Sequence, residues 1–110
     1  MNADEKNYLR SAFGDLLNYE AGNLEDPIDP LTYRTPEGDT CLHIAAHRGD
    51  LEAIRILVAS GMSVNLKGDM GITPLHNACL AKNSQAANLL ISLGADKSIA
   101  DEFGRLPAFW

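Results

Sequence analysis

The chain has 110 residues, of which 45% are hydrophobic and 22% are charged, and its formal net charge at pH 7 is −6. These values are typical of one globular domain with a thin core, and no apolar run reaches the ~20 residues that cross a bilayer. The first 40 residues hold nine acidic and three basic side chains (3 − 9 = −6), so they carry the whole net charge. Because nucleic acids and anionic membranes attract basic patches, we expect neither as a partner, and the charge favours a basic protein. Segment 1–6 lacks the basic start and apolar stretch of a signal peptide, which indicates a cytoplasmic location.

The first predicted element is an amphipathic helix near the N-terminus. Asp4 is its expected N-cap, and its apolar side chains recur at helical spacing: Leu9, Ala12, Phe13, Leu16 and Leu17. The loop that follows contains one glycine and three prolines, which block regular structure. We expect residues 1–34 to cap the N-terminal side of the segment that comes next.

The rest of the chain repeats with a period of 33 residues, marked by Gly38, Gly71 and Gly104. Residues 40–45 read TCLHIA and residues 73–78 read TPLHNA. Each copy predicts a short helix that starts after a threonine N-cap, a turn, and a second helix with an apolar stripe. We therefore expect one domain over residues 1–110, with a first unit at 35–67, a second at 68–100 and a partial third at 101–110.

Two details of the repeat concern its turns and its thiols. Gly49 is expected to end the first inner helix in a left-handed conformation, whereas Lys82 holds that place in the second unit and must turn without glycine. Cys41 and Cys79 fall at different points of the repeat, too far apart for the ~7 Å Cα separation of a disulfide. We expect two free thiols, which suit a reducing compartment.

These residues resemble the ankyrin repeat family. Segment 73–76 matches the Thr-Pro-Leu-His opening of the family's first helix in full, and segment 40–43 departs from it only at Cys41. The resemblance implies an all-α ankyrin repeat solenoid of stacked helix-turn-helix units with hairpin loops and an N-terminal capping helix. It also implies that His43 and His76 tie neighbouring units together through hydrogen bonds to backbone groups.

The resemblance places the partner-facing side chains at the hairpin tips and on the open face of the inner helices. From the first unit to the third, these are Glu37, Asp39, His47, Arg48, Asp69, Met70, Ile72, Leu80, Phe103 and Arg105. The apolar members suit the centre of an interface with a charged rim. An alternative is that Leu80 and Phe103 pack inward. The hairpin-loop acids, including Asp101, are expected to be solvated, and the terminal pair Phe109 and Trp110 is expected to cap the last unit.

The family resemblance implies a protein-binding module that works by occlusion, without a cofactor or metal and as a monomer when free. Small acidic ankyrin proteins of this kind resemble bacterial immunity proteins, so a basic toxin domain is one hypothetical partner. A regulatory adaptor or scaffold subunit is the alternative. The competing class is an enzyme that uses His47 or Cys79. We disfavour it because Cys79 takes an alanine position of the repeat, and because no catalytic or metal-binding motif surrounds His47.

Overall fold

The computed structural model describes residues 2–14 and 29–108. Across these residues we find five α-helices and no strand, which confirms the predicted all-α class. The helices are α1 (Ala3–Ala12), α2 (Cys41–Arg48), α3 (Leu51–Ala59), α4 (Pro74–Leu80) and α5 (Ser84–Ser92), with a 3-10 turn at Asp69–Gly71. We call α2 and α3 the first helix pair, and α4 and α5 the second. None of these helices is long and apolar enough to cross a membrane.

Each inner helix begins with the same reciprocal cap. The Thr40 side chain accepts a hydrogen bond from the His43 N–H, and the Thr40 N–H donates to His43 Nδ1 at 3.2 Å. Thr73 and His76 repeat this arrangement at the start of α4, with 3.1 Å between the Thr73 nitrogen and His76 Nδ1. Both predicted threonine caps are therefore confirmed, and each histidine has a fixed ring orientation because its Nδ1 must accept.

The N-cap of α1 was predicted wrongly. Asn2, and not Asp4, begins the helix, because its side chain accepts from the Glu5 N–H at 2.8 Å while Glu5 Oε1 accepts from the Asn2 N–H at 3.0 Å. Asp4 lies in the first turn, where a negative charge favours the helix dipole. The reciprocal pair with Glu5 gave a stronger signal than the isolated aspartate.

α1 packs against α3 and covers the N-terminal side of the first helix pair. Leu9 and Phe13 are buried in the shared core. Two polar contacts add to this packing: the Tyr8 hydroxyl donates to Asp50 Oδ1 at 2.6 Å, and the Arg48 guanidinium donates to the Ala12 carbonyl at 2.8 Å. This confirms the capping helix. Leu16, Leu17, Phe109 and Trp110 lie outside the described residues.

The two helix pairs stack side by side, with α2 packed on α4 and α3 on α5. The small side chains Ala45, Ala46 and Ala78 are fully buried, which allows the inner helices to approach closely. His43 Nε2 donates to the Ile72 carbonyl at 2.8 Å, and His76 Nε2 donates to the Arg105 carbonyl at 2.9 Å. The predicted histidine ties are thus confirmed, because each ring links its own helix to the hairpin of the next unit.

The turns within the helix pairs follow the sequence. Gly49 has φ +74° and Lys82 has φ +56°, so both residues are left-handed and the second turn forms without glycine as predicted. Asp50 and Asn83 then cap the outer helices, each accepting from the backbone N–H three residues later. Cys41 and Cys79 are free and buried, which confirms the expected thiols.

Candidate partner-binding surface

Three hairpin tips project from the helix stack and are stacked on one another. Each closes with one backbone hydrogen bond in the same register, between residues 35 and 39, 68 and 72, and 101 and 105, at 2.8 to 2.9 Å. Asp39 Oδ1 accepts from the Asp69 N–H at 3.0 Å, which joins the first tip to the second. The Glu102 N–H donates to the Met70 carbonyl at 3.0 Å, which joins the second to the third. The tips therefore form one ordered row.

A cavity of about 320 Å³ lies between α2 and α4, beside this row. We call it the palm groove, and its lining residues are Asp39, His43, Ile44, His47, Arg48 and Asn77. Each of the first five, from Asp39 to Arg48, is adjacent to the next or three to four residues from it. They therefore share one face of α2 and of the segment before it. The second helix pair contributes Asn77 from α4.

The palm groove brings together three of the predicted residues. His47 is exposed, whereas Asp39 is half-buried and also holds the second tip. Arg48 is exposed, and its guanidinium binds the Ala12 carbonyl and lies 5.9 Å from the centre of the Phe13 ring. Arg48 therefore has a structural contact with α1 in addition to its place at the groove.

Exposed apolar side chains lie on the tips and on α4. The exposed fractions are 41% for Met70, 43% for Leu80 and 66% for Phe103, so the inward packing considered for the last two does not occur. Leu80 follows Asn77 by three residues on α4 and therefore shares its helix face. Met70 also has a left-handed backbone, with φ +56°, the same value as Lys82 at the turn of the second helix pair.

The family model for ankyrin repeats, described as three copies, matches residues 2–101. The chain belongs to the ankyrin repeat family. The match begins at residue 2 and so includes α1, whereas the resemblance in the sequence begins at residue 35. Ankyrin repeats mediate protein–protein interactions, which agrees with the preformed groove and the exposed apolar tips.

Curated relatives are similar to part of this ankyrin chain. Protein phosphatase 1 regulatory subunit 27 of Mus musculus is 41% identical over 73 residues, covering 66% of this chain and 47% of the relative. The Target of rapamycin complex 2 subunit AVO2 of Saccharomyces cerevisiae is 33% identical over 75 residues, covering 67% of this chain and 18% of the relative. The NF-kappa-B inhibitor cactus of Drosophila melanogaster is 40% identical over 62 residues, covering 56% of this chain and 12% of the relative. The chain thus spans about half the length of the first relative and less of the others.

Ile72 was predicted as an exposed partner-binding residue, and this prediction is wrong. Only 7% of Ile72 is exposed. Its carbonyl accepts from His43 Nε2 and from the Gly68 N–H, so the residue lies at the junction between the first helix pair and the second tip. The equivalent residues of the first and third units, Asp39 and Arg105, are polar, whereas Ile72 is apolar and its side chain is buried.

Asp101 was expected to be solvated, and it is instead buried with 7% exposure. Its carboxylate accepts from the N–H groups of Phe103 and Arg105 at 2.8 and 2.9 Å, and from Arg105 Nε at 2.8 Å. Burial alone would raise the pKa of the Asp101 carboxyl, but the hydrogen bonds from Arg105 and Phe103 outweigh it and lower the pKa. Arg105 therefore helps to fold the third tip, and its guanidinium also lies 5.3 Å from the centre of the Phe103 ring.

Asn77 is the groove residue that the sequence reasoning missed. Its side-chain Nδ2 is buried and has no hydrogen-bond partner among the described residues. The signal that could have found it is a difference between the two copies, because Ile44 holds the equivalent position in the first unit. The remaining tip residues, Glu37 and Asp69, are exposed and half-buried, respectively.

The thiols are poorly suited to nucleophilic chemistry. Burial raises the pKa of Cys41 to about 12 and also raises the pKa of Cys79, so both favour the protonated form over the reactive thiolate. Among residues 2–14 and 29–108, no group of three or more His, Cys, Asp or Glu side chains could hold a metal ion. Cys79 is 4% exposed and packs in the core, as its position in the repeat predicted.

Proposed function

We propose that this chain is a regulatory binding module, an adaptor or inhibitory subunit that occludes a site on another protein. The observation that carries the proposal is the palm groove, together with the exposed apolar side chains of Met70 and Phe103 on the second and third tips and of Leu80 on α4. Apolar anchors beside polar and charged groups are typical of the centre and rim of an interface. The partner-binding set is the one predicted from the sequence without Ile72, and with Asn77 added.

The rigidity of this surface supports a binding role. Backbone hydrogen bonds close all three tips, and the contacts of Asp39 and Glu102 hold the tips to one another. A surface that is already ordered loses little conformational entropy on association, so more of the contact energy appears as affinity. We propose that the module is a monomer when free, uses no cofactor and acts in the cytoplasm, where its two buried thiols would stay reduced.

Three relatives support regulation as the biological role. Their names describe a regulatory subunit of protein phosphatase 1, a subunit of target of rapamycin complex 2 and an inhibitor of NF-kappa-B. This chain is 41%, 33% and 40% identical to part of each of them, respectively, so we infer that it controls its partner by contact. We favour this role over catalysis, because the buried thiol of Cys79 has a raised pKa.

Toxin neutralisation is a second candidate, supported by the charge distribution. The first 40 residues carry the whole net charge of −6, and an acidic surface would attract a basic toxin domain and cover its active site. This candidate predicts that association becomes markedly slower with added salt, because screening weakens long-range attraction. It also predicts that the chain protects cells from a toxin encoded beside it.

The proposal is tested by crosslinking in living cells. A photoreactive amino acid replaces Leu80 or Phe103 on the proposed surface, and Arg55 on α3 serves as the control because it is exposed on the outer helix. We expect one protein to be captured from positions 80 and 103, and little of it from position 55. Equal capture from all three positions would contradict the proposed surface, and the identity of the captured protein separates a regulated enzyme or complex from a toxin.

A further inference from the structure

We infer that the palm groove binds an extended peptide segment of the partner, with a basic side chain near Asp39 and an acidic side chain near His47 and Arg48. This inference rests on the proposed function and names the partner feature that the groove recognises. It follows from the charge order along α2, from the unpartnered amide of Asn77 and from the size of the groove.

The charges of the groove are separated along the length of α2. Asp39 precedes the helix and supplies a carboxylate, whereas His47 and Arg48 form its last turn. Ile44 lies between them and provides an apolar wall. Asp39 Oδ1 accepts one hydrogen bond from Asp69, and a carboxylate has acceptor sites for several more. Arg48 keeps its positive charge while its guanidinium donates to Ala12. A ligand with opposite charges at its two ends is therefore complementary to this groove.

The length of the groove sets the spacing of those two charges. The 8 residues of α2 rise about 12 Å, at 1.5 Å per residue. An extended chain rises about 3.3 Å per residue, so two side chains four positions apart span the same distance. We therefore expect the basic and acidic residues of the peptide at positions i and i+4, in one of the two possible orders.

Asn77 provides the contact to the peptide main chain. Its buried Nδ2 lacks a hydrogen-bond partner within the described part of the chain, and native proteins seldom leave such a donor unsatisfied. Ile44 serves at the equivalent position of the first helix pair, so the repeat itself does not need an amide there. An extended peptide presents a carbonyl at every residue. After a small rotation of the side chain, one of these carbonyls would accept from Asn77.

The volume of the groove suits an extended segment. A helix with its side chains is about 10–12 Å across, so only part of one would enter a groove of about 320 Å³. An extended segment can place one side of its backbone and a few side chains in the palm groove. The rest of the partner is then free to contact Leu80, Met70 and Phe103 outside the groove.

The test uses four pools of N-acetylated, C-amidated pentapeptides with three randomised central positions: Lys-x-x-x-Glu, Glu-x-x-x-Lys, Lys-x-x-x-Lys and Gln-x-x-x-Gln. Each pool is titrated into the ¹⁵N-labelled full chain, and affinity is read from the shifts of the Asn77 side-chain amide and the His47 backbone. We expect one mixed-charge order to bind about fivefold more tightly than the Gln pool, as two exposed ion pairs allow. If neither mixed-charge order binds more tightly than the Gln pool, the inference is wrong.

Matched variants separate the parts of the inference. Asn77→Ile removes the amide and inserts the residue of the first unit, so we expect weaker peptide binding with an unchanged or raised melting temperature. His47→Glu, at an exposed position, should abolish the preference for the mixed-charge pool and favour Lys-x-x-x-Lys. Asp39→Asn keeps an acceptor for Asp69 but removes one of the two ion pairs, and should reduce the advantage of the preferred pool over the Gln pool from about fivefold to about twofold. Peptide binding that all three variants leave unchanged overturns the inference.

The crosslinking experiment tests the proposed function separately from the peptide titrations. Capture of one protein through positions 80 and 103 without charge-selective peptide binding would reject the peptide inference and keep the proposed function. Loss of selective capture at those positions would reject the proposed function itself.

Discussion

The two helix pairs of this ankyrin chain share their core and their caps but differ on the face that lines the groove. Thr40 and Thr73 cap the inner helices in the same way, and His43 and His76 make the same ties to the next hairpin. By contrast, Ile44 and His47 in the first unit correspond to Asn77 and Leu80 in the second. The shared residues build the repeat. The residues that differ carry the specific chemistry of the surface.

The two pairs also differ in how they are covered. The first pair packs between α1 and the second pair. The second pair has the first on one side, and on its other side the described residues provide only the third tip. On its outer part, Ile91 is accordingly 38% exposed, whereas Val58, the equivalent of Ile91 in the first unit, is half-buried. Leu93 is 37% exposed. Equivalent substitutions should therefore have unequal costs in the two pairs.

The largest expected effect compares Leu57 with its counterpart Leu90, both of which are fully buried. We expect Leu57→Ala to lower the free energy of unfolding by about 4 kcal/mol and Leu90→Ala by about 2–3 kcal/mol. The cavity left by Leu57→Ala is enclosed on both sides by packed helices. The cavity left by Leu90→Ala lies nearer to a surface whose side chains can move in to fill it. Urea unfolding of the two variants measures the difference. Equal costs, or a larger cost at Leu90, would contradict the unequal coverage.

A second comparison concerns the histidine ties. His43→Ala should lower the free energy of unfolding by about 2–3 kcal/mol, because it leaves the buried Thr40 N–H without a partner and removes one of the two hydrogen bonds to the Ile72 carbonyl. His76→Ala should cost about 1–2 kcal/mol, because its contact with the Arg105 carbonyl is only partly buried and water can replace it. Thermal and urea unfolding check the order. A larger cost for His76→Ala would show that the third tip contributes more than its exposure indicates.

Residues that build the fold were easier to predict from the sequence than residues that form the surface. The threonine caps were predictable from local pattern, because each depends on a few neighbouring residues, and so was a turn at Lys82 without glycine. The histidine ties join residues that are 29 positions apart, and they were predictable only through the family resemblance. The N-cap was missed because two candidates, Asn2 and Asp4, lie two residues apart, and only a reciprocal bond from Glu5 decides between them.

The surface was less predictable. Met70, Leu80 and Phe103 are exposed as expected, but Ile72 and Asp101 are buried. The Ile72 carbonyl accepts from His43 of the preceding unit, a contact across 29 residues that no local pattern contains. Asp101 is instead held by hydrogen bonds from Phe103 and Arg105 within its own tip. Asn77 was missed for a related reason: a polar residue on an inner helix looks solvated in sequence, and only the packed structure leaves its amide without a partner.

The turns offer a smaller comparison. A Cβ atom at Gly49 would clash with the Asn83 side chain, and the residue has φ +74°, so Gly49→Ala should lower stability by about 2 kcal/mol through strain and a displaced cap. Lys82→Gly should raise stability by about 0.5 kcal/mol, because it relieves the left-handed strain at a small cost in chain entropy. Melting temperatures measure both. A destabilising Lys82→Gly would mean that the lysine side chain makes a contribution larger than this strain.

The smallest expected effect is a pH dependence that distinguishes the first tie. Burial lowers the pKa of His43 from its ordinary 6.5, so the unfolded chain takes up a proton at a higher pH than the folded chain. The stability that His43 contributes is therefore present above pH 6.5 and is lost as the pH falls towards the folded pKa. Unfolding free energies at pH 7.5 and pH 5 should show this loss.

The control for this pH effect is His43→Gln, which keeps a Thr-x-x-Gln capping pattern but does not titrate in this range. It should flatten the profile between pH 5 and pH 7.5. An unchanged profile in His43→Gln would assign the pH dependence to another group.

The central claim is that the shared residues build the fold and the differing groove residues bind the partner. The most direct measurement is the affinity of the protein captured through position 80 for the double variant Asn77→Ile/Leu80→His, which gives the second pair the groove residues of the first. We expect binding to weaken by about tenfold or more, with an unchanged or raised melting temperature. Unchanged affinity in a folded double variant would contradict the claim.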